Sequence, residues 1–126
     1  MSEPLRGVVV SHADLAEALV AAVHAISGVN GVLTAVSNEG CDPAALSARI
    51  DAATGGRPAL LFVDLPGGSC LTSAVRFARN RPELAVVTGV NLAMLLDFVF
   101  HRDLSPAEAA RRAAESGGKA IRTPAA

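Results

Sequence analysis

Four short apolar runs recur along this chain, and each is followed by residues with the three- and four-residue apolar spacing of a helix. That alternation constrains the fold more than any other feature. Strands separated by helix-length crossovers pair in parallel, and the helices then cover the faces of the sheet. The runs lie at about 7–11, 32–36, 59–64 and 84–88. Ala59-Leu60-Leu61-Phe62-Val63 is apolar throughout, as a strand covered on both faces must be.

The stretches between them carry helix signals. Leu15, Ala18, Leu19, Ala22, Val23 and Ile26 mark one face of a first helix that ends at Gly28. Asp42-Pro43 reads as N-cap and first position of a second, which points Leu46 and Ile50 inward and stops by Gly55-Gly56. Leu71, Ala74, Val75 and Ala78 mark a third, closed near Arg81-Pro82. Asn91 caps a fourth, with Leu92, Leu95, Leu96 and Val99 on one side. Ser105-Pro106-Ala107-Glu108 has the elements of a capping box and opens a fifth helix, expected to run to Glu115 and to stop at Gly117-Gly118. The predicted fold is α/β: a doubly wound, mainly parallel sheet of four strands with helices on both faces. Residues 1–126 read as a single domain, with 123–126 a loose tail.

Composition excludes several function classes. Tyr and Trp are absent and only 4 Phe are present, so the core must be aliphatic and nucleobases find almost no stacking platform. A net charge of −1 supplies no basic field, so no nucleic-acid partner is expected. No apolar run approaches the roughly 20 residues needed to cross a bilayer, so no membrane insertion is expected and the cytoplasm is the default location. Two cysteines, Cys41 and Cys70, read as free thiols. No cofactor or metal ligand set is expected.

In parallel α/β sheets, ligands collect at the carboxyl ends of the strands. His12 follows Val8-Val9-Val10-Ser11 at the first such end. Asp64 stands at the third, followed by Leu65-Pro66-Gly67-Gly68-Ser69 leading into a helix. A glycine loop that opens a helix presents unpaired N–H groups and the positive helix end to an anion, and Ser69 is placed to cap that helix. Nucleotide fingerprints do not match: no G-x-G-x-x-G follows the first strand, and Ser116-Gly117-Gly118-Lys119 lacks the spacing of a Walker loop. The G-x-S-x-G elbow fails at Leu71. A histidine with one ring nitrogen held by a carboxylate presents the other as nucleophile or general base. Beside an anion-binding loop, such a pair is a coherent phosphohistidine site. A hydrolase would also need a nucleophile and an oxyanion pocket, for which no motif speaks. His24 and His101 read as surface or helix-end residues, and Arg76, Arg79 and Arg81 as a solvated face. A helix N-terminus can lower the pKa of Cys70, although a packed, idle thiol is the favoured reading.

Val8 to Asp14, Leu61 to Asp64 with Gly67-Gly68-Ser69, and Thr88 to Leu95 together resemble the enzyme IIA component of the mannose-type sugar phosphotransferase system. The likeness runs from about residue 6 to about 118. It implies a phosphoryl carrier in which His12 accepts the group from HPr and passes it to a histidine of an enzyme IIB protein, for sugar uptake or its regulation. It makes Asp64 the residue that positions His12, and gives Ser11, Gly67, Gly68 and Ser69 as phosphoryl-binding positions. It also implies a homodimer with an exchanged C-terminal strand, for which 119–123 is the candidate here. The chain departs from the family pattern at Ala13, where glycine is frequent, and at Cys70 and Ala93, where proline is usual. Two further readings share the architecture. One is a receiver-like signalling domain phosphorylated on Asp64, which would want acidic residues where Ser11-His12 stand. The other is a non-catalytic domain that binds a partner and carries no phosphate.

Overall fold

The computed structural model describes residues 3–125. Nine elements follow in order: β1 (Arg6–Ser11), α1 (Leu15–Ser27), β2 (Leu33–Ser37), α2 (Pro43–Thr54), β3 (Ala59–Val63), α3 (Ser69–Ala78), β4 (Leu84–Thr88), α4 (Leu92–Val99) and α5 (Pro106–Lys119). The four strands form one fully parallel sheet in the order β2-β1-β3-β4. The predicted α/β architecture is the one observed. Strand boundaries differ by one residue at most: β1 begins at Arg6, β2 is shifted to 33–37 and β3 ends at Val63.

Alternation within the central strands fills two separate cores. Val9 of β1 with Leu60 and Phe62 of β3 face α1, α4 and α5, where Val23, Leu95, Phe98 and Ala113 close the layer. Val8, Val10, Leu61 and Val63 face the other way onto Leu46 and Ile50 of α2 and Ala74 of α3. Valines 8 to 10 and residues 59–63 are wholly buried, which explains their unbroken apolar character. Phe62 and Phe98 meet edge to face, with ring centroids 5.1 Å apart, and lock α4 to the sheet.

Several caps act as their sequences imply. Asp42 accepts the Ala45 N–H at 2.7 Å and Asn91 accepts the Met94 N–H at 2.9 Å. Ser105 accepts the Glu108 N–H at 3.2 Å and donates to the Glu108 carboxylate at 2.8 Å.

α3 buries Cys70, Ser73 and Ala74, while Val75 is 43% exposed. One expectation is corrected, at the end of α5. α5 does not stop at Gly117-Gly118 but continues to Lys119. Gly117 is helical because α5 crosses α4 there: an added Cβ would lie 2.6 Å from Met94 Cε and 3.2 Å from Asn91 Nδ2. The candidate for an exchanged strand, 119–123, concerns two copies of the chain; within one copy Lys119 closes α5 and residues 121–125 form no regular element.

Candidate functional site

Connections from β1 run first to β2 on one side and then to β3 on the other. Reversal of direction opens a crevice between the carboxyl ends of β1 and β3, the place where doubly wound sheets bind ligands. His12 follows β1 and Asp64 follows β3, so the sheet order brings the two predicted residues together across 52 positions of chain.

Their geometry is tight. Asp64 Oδ2 lies 2.7 Å from His12 Nδ1 and also accepts the His12 backbone N–H at 2.9 Å. Asp64 Oδ1 accepts the Leu65 N–H at 3.0 Å. Burial by itself would raise the carboxyl pKa. The His12 N–H, the His12 ring and the Leu65 N–H outweigh it and hold Asp64 below its ordinary value. An ionised carboxylate only accepts, so in the neutral imidazole the proton lies on Nδ1 and the lone pair on Nε2. The Asp64 side chain is 8% exposed and the His12 side chain 45%, which leaves the ring open to an incoming group.

Ser11 holds the turn that carries His12. Its buried hydroxyl accepts the Ala16 N–H at 2.7 Å and lies 3.3 Å from the His12 carbonyl, to which it donates. Both hydrogen-bonding roles of that oxygen are therefore used on backbone. Ala13 follows with φ +50°, the left-handed region that favours glycine.

Gly67, Gly68 and Ser69 are exposed beside this pair. Gly68 has φ +90° and ψ −172°, a region that essentially only glycine enters, and another residue there would cost about 1–3 kcal/mol. Ser69 is the first residue of α3 and does not cap it; Gly68 takes the cap position. Cys70 follows in the first turn of α3, with Sγ 3.8 Å from His12 Nδ1.

Two contributors escaped the sequence reading. Asn38, just past β2, donates to Ser69 Oγ at 3.5 Å and brings a third strand end to the site. Its only signal was its place in an Asn-Glu-Gly turn after a strand. Cys70 is a neighbour of the imidazole, and its thiol is pushed up by burial and then by the Asp64 charge, against a smaller lowering by Ser69. His24 and His101 lie elsewhere and are exposed: His24 Nδ1 is 3.3 Å from the Val29 carbonyl, and His101 Nδ1 is 2.8 Å from the Asp97 carbonyl.

Solved structures share the architecture closely at low identity. The phosphotransferase system component EIIA from Streptococcus agalactiae aligns at TM-score 0.86 and 16% identity, covering 94% of this chain and 96% of its own. The mannose/sorbose-specific IIA subunit from Enterococcus faecalis aligns at 0.84 and 24%, covering 98% and 97%. A sigma-54 interaction domain protein from Enterococcus faecalis aligns at 0.78 and 12%, covering 97% and 96%. No curated protein matches the chain in sequence. The model of one family, described as the PTS system fructose IIA component, matches residues 7–115. That match takes in all of the sheet but Arg6, the His12–Asp64 pair and most of α5, and the protein therefore belongs to the EIIA-man family, the mannose-type IIA phosphotransferase components of the sugar phosphotransferase system.

Proposed function

We propose that His12 is a phosphoryl acceptor, charged by phospho-HPr and discharged onto a histidine of an enzyme IIB protein, in sugar uptake or its regulation. The observation that carries this reading is the 2.7 Å contact between His12 Nδ1 and Asp64. With Nδ1 as donor to the carboxylate, the Nε2 lone pair attacks phosphorus. A P–N bond forms as the donor's P–N bond breaks, and the donor nitrogen keeps that electron pair. The phosphorylated ring retains its Nδ1 proton and shares its positive charge with Asp64. The N–H groups of Gly67, Gly68 and Ser69 receive the phosphoryl oxygens at the positive end of α3. Ser11 acts as a brace for His12, since its hydroxyl is already committed to backbone. Transfer to enzyme IIB repeats the step in the opposite sense.

Leu15 opens α1 three residues after His12 and Leu65 directly follows Asp64, and they are 45% and 53% exposed. They form the apolar part of the surface on which HPr and the enzyme IIB protein dock in turn.

Incubation with phosphoenolpyruvate, enzyme I and HPr is expected to give an acid-labile, alkali-stable phosphate on the wild-type chain and none on His12→Ala. Full labelling of His12→Ala would overturn the assignment. The same reading has two copies of the chain exchange the segment after α5, which would pair with the edge of β4 left open in the sheet. Ile121 in that segment is 80% exposed. Sedimentation equilibrium is expected to give a dimer, and a purely monomeric chain at micromolar concentration would exclude the exchange.

A further inference from the structure

Phosphoryl transfer as written above makes no use of Cys70. Its sulfur nevertheless converges with the pair: Sγ is 3.8 Å from His12 Nδ1, Asp64 Oδ2 is 2.7 Å from the same nitrogen, and donor atoms of all three residues lie within 4.8 Å of one another. These are a nitrogen, a carboxylate oxygen and a sulfur, delivered by the ends of β1 and β3 and by the first turn of α3. Tetrahedral zinc, with bonds of about 2.0–2.3 Å, sets neighbouring ligand atoms roughly 3.3–3.6 Å apart. The nitrogen–oxygen pair would have to open by about half an ångström, the nitrogen–sulfur pair to close by a few tenths, and the oxygen–sulfur pair, no more than 4.8 Å apart, to come to about 3.6 Å.

We propose that His12, Asp64 and Cys70 form a binding site for one thiophilic divalent cation, zinc above all. The donor set selects the metal. One thiolate and one imidazole suit zinc, whereas magnesium and calcium want several oxygens and find a single carboxylate here. On binding, the Cys70 thiol gives its proton to solvent and its sulfur becomes a ligand. His12 coordinates through the Nδ1 lone pair, so the ring proton moves to Nε2. The metal-bound ring then has no lone pair at Nε2, and metal and phosphoryl group exclude each other. That last consequence rests on the phosphoryl reading; the site itself does not. Sequence spacing gives no hint of it, because no two of the three ligands are close enough along the chain to form a metal motif other than by folding.

Cobalt(II) titration of the full, reduced chain tests the site without any phosphotransferase partner. Wild type and Cys41→Ser are expected to develop a thiolate-to-cobalt charge-transfer band that saturates at one equivalent and is displaced by one equivalent of zinc. Cys70→Ser, which keeps the shape of the side chain, is expected to lose the band. Cys70→Ser and Asp64→Asn are expected to bind zinc at least ~100-fold more weakly, beyond the 10–100-fold that loss of an outer-shell contact costs. Circular dichroism checks that both variants are folded; should Cys70→Ser fail, Cys70→Ala takes its place. Absence of a thiolate band in wild type would overturn the proposal, as would a band that survives loss of Cys70 and disappears in Cys41→Ser. Labelling of the chelator-treated protein by phospho-HPr reports on the phosphoryl reading separately. A His12 that takes no phosphate while the cobalt band persists would remove that reading and leave the metal site standing.

Discussion

At the scale of single residues, the site depends on one carboxylate doing two things. Asp64 Oδ2 holds both the backbone and the ring of His12, so it fixes where the imidazole stands and which nitrogen keeps the proton. Asp64→Asn removes the charge that stabilises a positive ring and replaces one acceptor oxygen by a donor. Its phosphoryl uptake from HPr is expected to fall about 100-fold, the order of loss that comes with misplacing a reacting group. Rapid-quench labelling measures this, with unchanged circular dichroism as the control. A variant that takes up phosphate at the wild-type rate would show that the contact is structural only.

Among the elements, the α4–α5 contact is where local signals and packing disagree. Two adjacent glycines near the end of a helix read as a stop. Packing decides otherwise, because Gly117 is buried against Met94 and Asn91 while an added Cβ at Gly118 meets nothing within 4 Å. Asn91 uses its amide twice, accepting the Met94 N–H to cap α4 and donating to the Gly117 carbonyl at 3.1 Å. The two glycines are therefore expected to respond oppositely to alanine. Gly117→Ala overpacks the contact at about 1–3 kcal/mol, only partly offset by up to ~1 kcal/mol of better helix propensity. Gly118→Ala keeps the propensity gain and loses no contact. Urea denaturation of the two variants separates them; equal midpoints would contradict the packing account.

Across the whole molecule, two carboxylates couple folding to pH. Asp97 is held below its ordinary value first by hydrogen bonds from Arg112, at 2.9 and 3.0 Å, which tie α4 to α5. Asp64 is held below its ordinary value as well. A carboxyl depressed in the folded state contributes stability above its unfolded pKa of about 3.9, and that contribution disappears as pH falls through the folded value. The melting temperature is expected to be nearly flat above about pH 5 and to drop as pH falls below about 4. Asp97→Asn is expected to start from a lower plateau and to decline less steeply. A melting temperature that rises toward pH 3 would reverse the sign and refute both assignments.

The sequence by itself determined the layers. Alternation of buried strand runs with amphipathic stretches gives a parallel α/β sheet because helix-length crossovers leave no other economical pairing, and Asp42, Asn91 and Ser105 announce helix starts because their side chains satisfy local N–H groups. His12 and Asp64 were legible as strand-end residues for the same reason. What only the tertiary structure decided depends on distance in space. The strand order set β1 beside β3 and so closed 52 positions to 2.7 Å. The seat of α3 brought Cys70 to the imidazole and turned Val75 outward, and the crossing of α4 and α5 made Gly117 a contact where its local signal read as an end. Periodicity and capping act over a few residues, whereas a site and a helix crossing are made by segments whose meeting no local pattern encodes.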